Sequence, residues 1–363
     1  MEVETARSAW PSGRVVGAAG VVLLCALGLQ VCAARSPEWT ERVYAARVFP
    51  LVRAGLLGLA RGAPFSVAEA ALGLGALCVG AVLVRARRRR RALRAVALGA
   101  CCLPYLYLAF LLAWGLNYAR EPLASRLGLV VRPAGADELA ELARELLAAA
   151  NTERGLVLED GDGVARLRAG RAGLRPAAAE AFAELGAERP ALRGPLPLVR
   201  FAVLAPLMTR VGITGIYSPF TAEAHVNGRI PELELPFVVC HEVAHGRGIA
   251  REDDANFVAY LACRASSDAD FRYSGALVSL RYASAALRRA DAERQRELWS
   301  TASEEVRRDL AALRRFWAAH ESMLSDLGAR TNDLYLKAQG QVEGTRSYGR
   351  MVDLLLAERR TGG

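Results

Sequence analysis

The sequence predicts a mainly α-helical chain, with N-terminal transmembrane helices followed by a mostly helical domain that carries a small β element. Three observations predict it. Long apolar runs crowd the first third of the chain. The later segments place apolar residues at helical spacing between charged ones. The stretch His241-Glu242-Val243-Ala244-His245 follows Pro236 and an apolar run, as the body of a helix would. On that helix, residues four apart share one face.

The apolar runs are Val15 to Ala34, Phe65 to Val84 and Val96 to Leu116. Each is long enough to cross a hydrocarbon core of about 30 Å at roughly 1.5 Å per helical residue. Gln30 interrupts the first, Glu69 the second and Pro104 the third. A proline is tolerable there because neighbouring helices satisfy the carbonyl it frees. Trp114 stands where an interfacial anchor is expected. The segment Leu51 to Ala60 is apolar but reads as too short to span, and is expected at the interface or against the bundle. The first run is also compatible with a cleaved signal peptide, with Ala33-Ala34 near its end.

Arginines at 85, 87–91 and 94 fill the link between the second and third runs. The positive-inside rule puts that link in the cytoplasm. Three spans then leave residues 1–118 as a membrane domain and 119–363 as an extracytoplasmic domain. The formal charge is +9, but much of the excess sits in this link. With no basic stripe interleaved with aromatics, nucleic acid is excluded as a partner and the lipid bilayer is expected as one. Of the seven cysteines, five fall in the apolar first third and none forms a CxxC pair. That argues against a disulfide framework or a cysteine zinc knuckle.

In the second part, Asp137 to Asn151 and Pro176 to Leu185 read as helices, with a glycine-rich loop over Leu156 to Val164 between them. Pro190 to Pro197 reads as a linker and Ile213 to Val226 as extended chain with one turn. A helix is expected over Pro236 to Arg247, ended by Gly248, and a second from near Arg251. Ala285 to Leu327 predicts two helices, and the segment from about Tyr348 to Glu358 a last one.

The chain has four histidines, and two of them lie in the His241–His245 pattern. Zinc-assisted hydrolysis needs neutral nitrogen ligands, an open coordination position and a carboxylate to take a proton from water. His241 and His245 fit the first need and Glu242 the last. Glu252 is a natural third ligand if the second helix folds back, with Asp253 or Asp254 as alternatives. Asn256 lies one turn further on the same face and is a candidate partner for a ligand histidine. His225 either approaches from the extended segment or is a surface residue. Cys240 points about 100° away from His241 on a helix and, like Cys263, is expected to be a buried thiol. Arg251 occupies the place where a HExxHxxGxxH pattern has its third histidine, and a guanidinium does not ligate zinc. Tyr217, Tyr335, Tyr348 and Arg350 are candidates for stabilising a tetrahedral intermediate. Ile213 to Tyr217 or Glu223 to Asn227 could form the edge strand that an extended peptide joins.

Several of these stretches together resemble a bacterial family of membrane-bound, zincin-like proteins of unknown function. They are Trp114-Gly115-Leu116-Asn117-Tyr118, the run Gly215 to Thr221, Pro236-Phe237, the His241–His245 motif, Arg251 to Phe257, Tyr335 to Gln341 and Ser347-Tyr348. The Glu252-x-x-Ala255-Asn256 stretch is similar to the second helix motif of gluzincins, whose glutamate is the third zinc ligand. That likeness implies a gluzincin-type domain and favours Glu252 over its neighbours. The link from His245 to Glu252 is shorter than in many gluzincins.

The expectation is a membrane-anchored zinc metallopeptidase with one Zn2+ per chain, acting on a peptide or protein at the outer membrane face. The rival is a non-catalytic zinc-binding scaffold or subunit of a cell-envelope complex. Charged residues flank the motif on both sides, from Glu232 and Glu234 to Arg251. That excludes a site buried within a membrane span.

Overall fold

The computed structural model describes residues 11–85, 89–339, 341, 344 and 349–362. The chain divides into two compact units, Met1–Glu121 with Ser218–Glu223, and Pro122–Tyr217 with Ala224–Gly363.

The first unit is built from α1 (Gly13–Arg35), α2 (Pro37–Arg61), α3 (Val67–Arg85) and α4 (Arg89–Ala113). Three described helices are long and apolar enough to cross a membrane: Gly13–Arg35, Pro37–Arg61 and Leu93–Ala113. The apolar part of α3, Val67–Val82, is shorter. Leu51 to Ala60 is therefore not an isolated short segment but the end of a continuous helix of 25 residues. Glu38, Glu41 and Arg42 hide its first half from an apolar-run reading. A π-helical stretch over Thr40–Val48 carries the chain into Pro50. Its wide turn, in which Phe49 N–H reaches the Tyr44 carbonyl, avoids the proline clash of a regular helix. Packing inside the unit is polar where it must be. The Tyr44 hydroxyl donates to the Leu112 carbonyl at 3.2 Å, and Arg120 grips Glu41. The first N–H groups of α3, at Val67 and Ala68, donate to the buried Glu223 carboxylate at 3.2 and 2.9 Å. Residues 86–88 of the arginine link lie outside the described residues.

The second unit is mostly helical. Its core is α5 (Ala136–Arg154) against α10 (Ala269–Ala290), joined by α8 (Leu235–Gly246) and α9 (Glu252–Ala265). Between α5 and α8 lie β1 (Leu158–Glu159), β2 (Ala165–Arg166), α6 (Gly170–Glu188), β3 (Leu198–Phe201), α7 (Ala205–Arg210), β4 (Gly215–Ser218) and β5 (Glu223–Val226). The chain ends in α11 (Ala292–Ser300), α12 (Glu304–Ala318), α13 (Met323–Ala338) and α14 (Met351–Arg360). The glycine-rich loop folds into the small β1–β2 hairpin. The second sheet has the order β3-β5-β4, which leaves β4 at an edge. Its hairpin turn holds Ala222 at φ 54, in the left-handed region. Ala285 to Leu327 contains more than the two expected helices, because Asp291, Ser303 and Ser322 each accept a backbone N–H and start a new one. Helix α6 begins at Gly170, before Pro176, which sits inside it.

Candidate metal centre

Helix α8 ends in a glycine cap that builds part of the site. Gly248 takes φ 82, the left-handed conformation that a Cβ disfavours. Its N–H bonds the His245 carbonyl at 2.9 Å, and Ile249 N–H bonds the Ala244 carbonyl at 3.1 Å. This is a Schellman closure. It turns the chain back so that the Ile249 carbonyl meets His245 Nδ1 at 2.8 Å. A carbonyl only accepts, so Nδ1 carries a proton, and whenever the ring is neutral its lone pair is on Nε2. That is the tautomer a metal needs, fixed by an outer hydrogen bond.

The same turn delivers α9, with Arg251 as its N-cap and Glu252 as its first residue. His241, His245 and Glu252 then converge, each offering one ligand atom, all within 4.8 Å of one another. His241 Nε2 stands 2.9 Å from His245 Nε2. Glu252 Oε2 stands 3.2 Å from the former and 3.5 Å from the latter. Ligands about 2.0–2.2 Å from a tetrahedral zinc are roughly 3.3 Å apart, so the spacing suits that ion. Glu252 Oε2 is buried and lies near both rings without hydrogen-bond geometry to either. Three ligand atoms crowded around one point are the arrangement of a ligand set. The N2O donor set and this orphaned oxygen fit zinc.

Electrostatics bind the three residues together. Burial opposes charge on Glu252, but the two histidines outweigh it and hold its carboxyl well below the usual range. Burial also disfavours charge on His245, yet Glu252 overrides it and raises the imidazole to about 9. Glu242 behaves differently. Burial pushes its carboxyl up to about 6, against the pull of His241 and His245. Its Oε2 is buried with no hydrogen-bond partner.

The alternatives to Glu252 are engaged elsewhere. Asp253 pairs with Arg251 at 3.4 Å and Asp254 lies 3.9 Å from the same guanidinium. Burial, then the Asp253 charge, pushes Asp254 up to about 7. Asn256 is buried and hydrogen-bonds with Tyr282 of α10. The outer nitrogen of His245 is taken by Ile249, and His241 Nδ1 has no partner. His225 is buried on β5 and is not one of the converging three. Cys240 and Cys263 are buried and hydrogen-bonded to each other. Tyr335 is 39% exposed on α13, and Arg350 caps α14 beside Asp353. Tyr348 lies outside the described residues.

Two residues were not singled out from the sequence as parts of the site. A Cβ on Gly215 would fall 2.3 Å from Glu242 Oε1 and 2.7 Å from its Cγ. The bare backbone of β4 therefore lies directly against the Glu242 carboxylate. Residues two apart in a strand share a face, so Tyr217, 8% exposed, is on the Glu242 side while Ile216, 53% exposed, faces away. A glycine opening a strand was the available signal. Tyr282 gave none, since only the fold brings it to Asn256.

Residues 44–356 match the family described as protein of unknown function DUF3810. The chain belongs to that family. The match starts inside α2, well before the Trp114 stretch, so it takes in most of the apolar helices as well as His241, His245 and Glu252. No curated protein and no solved structure matches the chain.

Proposed function

We propose that this chain is a membrane-anchored, zinc-dependent metallopeptidase. One observation carries the reading: His241, His245 and Glu252 converge beside a buried Glu242 oxygen that has no partner. A purely structural metal site has no use for such a carboxylate. Leaving it unpaired costs free energy, on the order of 1–3 kcal/mol for a buried polar group and more when it is charged, and a catalytic base is what that cost would sustain. This counts against the zinc-scaffold alternative.

Zinc held by the three ligands would supply a Lewis acid that polarises a carbonyl and lowers the pKa of water to about 7. Glu242 takes the proton of the attacking water on its free oxygen and passes it to the leaving amine. A carboxyl raised toward neutrality is suited to both halves of that transfer. Strand β4 receives the substrate as an added strand, because it stands at an edge of the sheet formed by the described strands. Gly215 lets the substrate backbone approach Glu242, and Tyr217 on the same face is the candidate partner for the developing oxyanion. Tyr282 and Asn256 position the first turn of α9.

The arginines of residues 85–94 run into the start of α4, the last described helix long and apolar enough to span a membrane. Reckoned from that link, the positive-inside rule places the second unit outside the cytoplasm, whatever the number of earlier spans. The substrate is then a peptide or protein at the outer membrane surface.

The test has two arms on detergent-purified full-length protein. Elemental analysis is expected to find one zinc per chain, lost in His241→Ala. A peptide library incubated with the wild type and read by mass spectrometry is expected to show new termini that Glu242→Gln does not produce. Wild-type protein without stoichiometric zinc sinks the proposal; zinc without cleavage supports the scaffold instead.

A further inference from the structure

We infer that the second unit carries a binding site for the phosphate headgroup of an anionic lipid, separate from the metal centre. A hollow of about 430 Å³ is lined by Arg171, Arg210, Arg229, Thr209, Phe316 and His320, together with Pro206. None of its lining residues is acidic. Among the described residues, none of the three arginine side chains has a hydrogen-bond or ion-pair partner. Arg171 is placed by the chain itself: its Nη1 would lie 3.4 Å from a Cβ on Gly228, next to Arg229. Like charges gathered around a cavity repel one another unless an anion joins them. Guanidinium forks match phosphate oxygens in pairs. His320 adds to the set. Its Nδ1 donates to the Phe316 carbonyl at 2.8 Å, and its ring packs on Phe316 with centroids 4.5 Å apart.

What surrounds the hollow selects a lipid over a free phosphate. The helix that supplies Pro206 and Arg210 also presents Leu207, 52% exposed, and Val203 just before it is 81% exposed. Helix α13 starts against the same place. The Ser322 hydroxyl donates to the Arg210 carbonyl at 3.4 Å, and a Cβ on Gly328 would fall 2.5 Å from the Val211 carbonyl oxygen. From that seat α13 exposes Met323 at 87% and Leu327 at 60%, four residues apart on one face. Exposed large apolar side chains from two helices, beside an unpaired basic hollow, form the amphipathic surface that beds into a headgroup layer. A chain with helices long enough to span a membrane always has that layer at hand.

The site is tested by native mass spectrometry of the full-length protein released from detergent micelles, titrated with phosphatidylglycerol or phosphatidylcholine. The wild type is expected to retain one phosphatidylglycerol with a preference of about tenfold or more over phosphatidylcholine. Each arginine removed is expected to weaken it by about fivefold, as basic residues near an anionic surface do. The Arg210→Ala/Arg229→Ala double variant should therefore lose the preference, and Arg210→Lys/Arg229→Lys should recover part of it. Both arginine positions are exposed, and unchanged melting and zinc content identify variants that still fold. Leu207→Ser/Met323→Ser should weaken retention while leaving headgroup preference intact. Equal preference in the wild type and the alanine variant overturns the inference. So does inorganic phosphate competing as strongly as the lipid, which would assign the hollow to a soluble phosphate.

Discussion

Two buried polar clusters of the second unit meet the cost of burial in opposite ways. In the first, Asp309 is fully buried and both its oxygens are used. Oδ2 accepts from Arg154 Nε at 2.7 Å and from the Tyr273 hydroxyl, and Oδ1 accepts the Ala165 N–H at 2.9 Å. Arg154 spends a further N–H on the Gly163 carbonyl at 2.8 Å. Burial and the Asp309 charge hold the Tyr273 hydroxyl protonated far above its ordinary range, so it remains a donor. This cluster closes on itself and ties α5, α10, α12 and the β1–β2 hairpin together. The second cluster leaves His241 Nδ1, Glu242 Oε2 and Glu252 Oε2 buried without hydrogen bonds. The ligand atoms of His241, His245 and Glu252 crowd one point, with Glu242 close enough to feel their charge. Satisfied burial marks architecture, and unsatisfied burial marks a place that awaits something from outside the chain.

The sharpest break between the two clusters lies at Glu242. Glu242→Gln keeps the shape and removes the base. Peptide cleavage is expected to fall by about 10²–10⁴-fold, the usual worth of a positioned general base, with zinc content and melting midpoint close to wild type. A large loss of stability instead would make Glu242 a member of the architectural kind.

Asp309→Ala should show the reverse pattern. Removing Asp309 leaves the buried Arg154 guanidinium only the half-exposed Glu159 as counter-charge, and breaking such a pair costs up to about 3–5 kcal/mol. Denaturant or thermal unfolding of the purified protein should register that loss while the surviving folded fraction still binds zinc. An unfolding midpoint within error of wild type would show that the cluster is not what holds these four elements.

Zinc itself supplies the next contrast. A ligand that binds only the folded state stabilises it by about 2.7 kcal/mol when present at 100 times its dissociation constant. Zinc added to chelator-treated protein should raise the melting midpoint of the wild type and of Asp309→Ala alike. It should leave His241→Ala and Glu252→Gln unmoved. A rise in those variants too would mean that zinc acts elsewhere on the chain.

The contrast also explains which parts were readable in the sequence. His241, Glu242 and His245 were legible because the helix repeat alone puts them on one face. Gly248 was legible because few residues accept its φ of 82. Glu252 needed a fold-back that its short link made look awkward, and the Schellman turn supplied it. The Ile249 carbonyl that orients His245 was not legible, because a backbone oxygen carries no letter. Arg154, Tyr273 and Asp309 are ordinary residues in ordinary helices, and their meeting depends on tertiary packing across more than a hundred positions. In the first unit, the apolar runs gave α1, α3 and α4, whereas α2 was missed because its π-helical half is charged and carries no apolar run.

Gly215→Ala gives the smallest expected effect and the finest test, because it touches Glu242 without altering any ionisable group. The added methyl would meet the carboxylate at 2.3 Å, so either β4 or the Glu242 side chain has to move. Overpacking of this kind typically costs about 1–3 kcal/mol. If the strand yields, the loss appears in stability and Glu242 stays aimed at its place. If the side chain yields, the cost is small and appears in cleavage, with zinc retained, because the three ligands approach from α8 and α9 and not from β4. The second outcome is expected. Glu242 Oε2 has no hydrogen bond to hold it, whereas the strand is tied at its start by the Asn227 N–H to the Thr214 carbonyl at 2.8 Å. A Gly215→Ala protein that cleaves at the wild-type rate with its stability unchanged would show that the closeness of strand and base is of no consequence to the reaction.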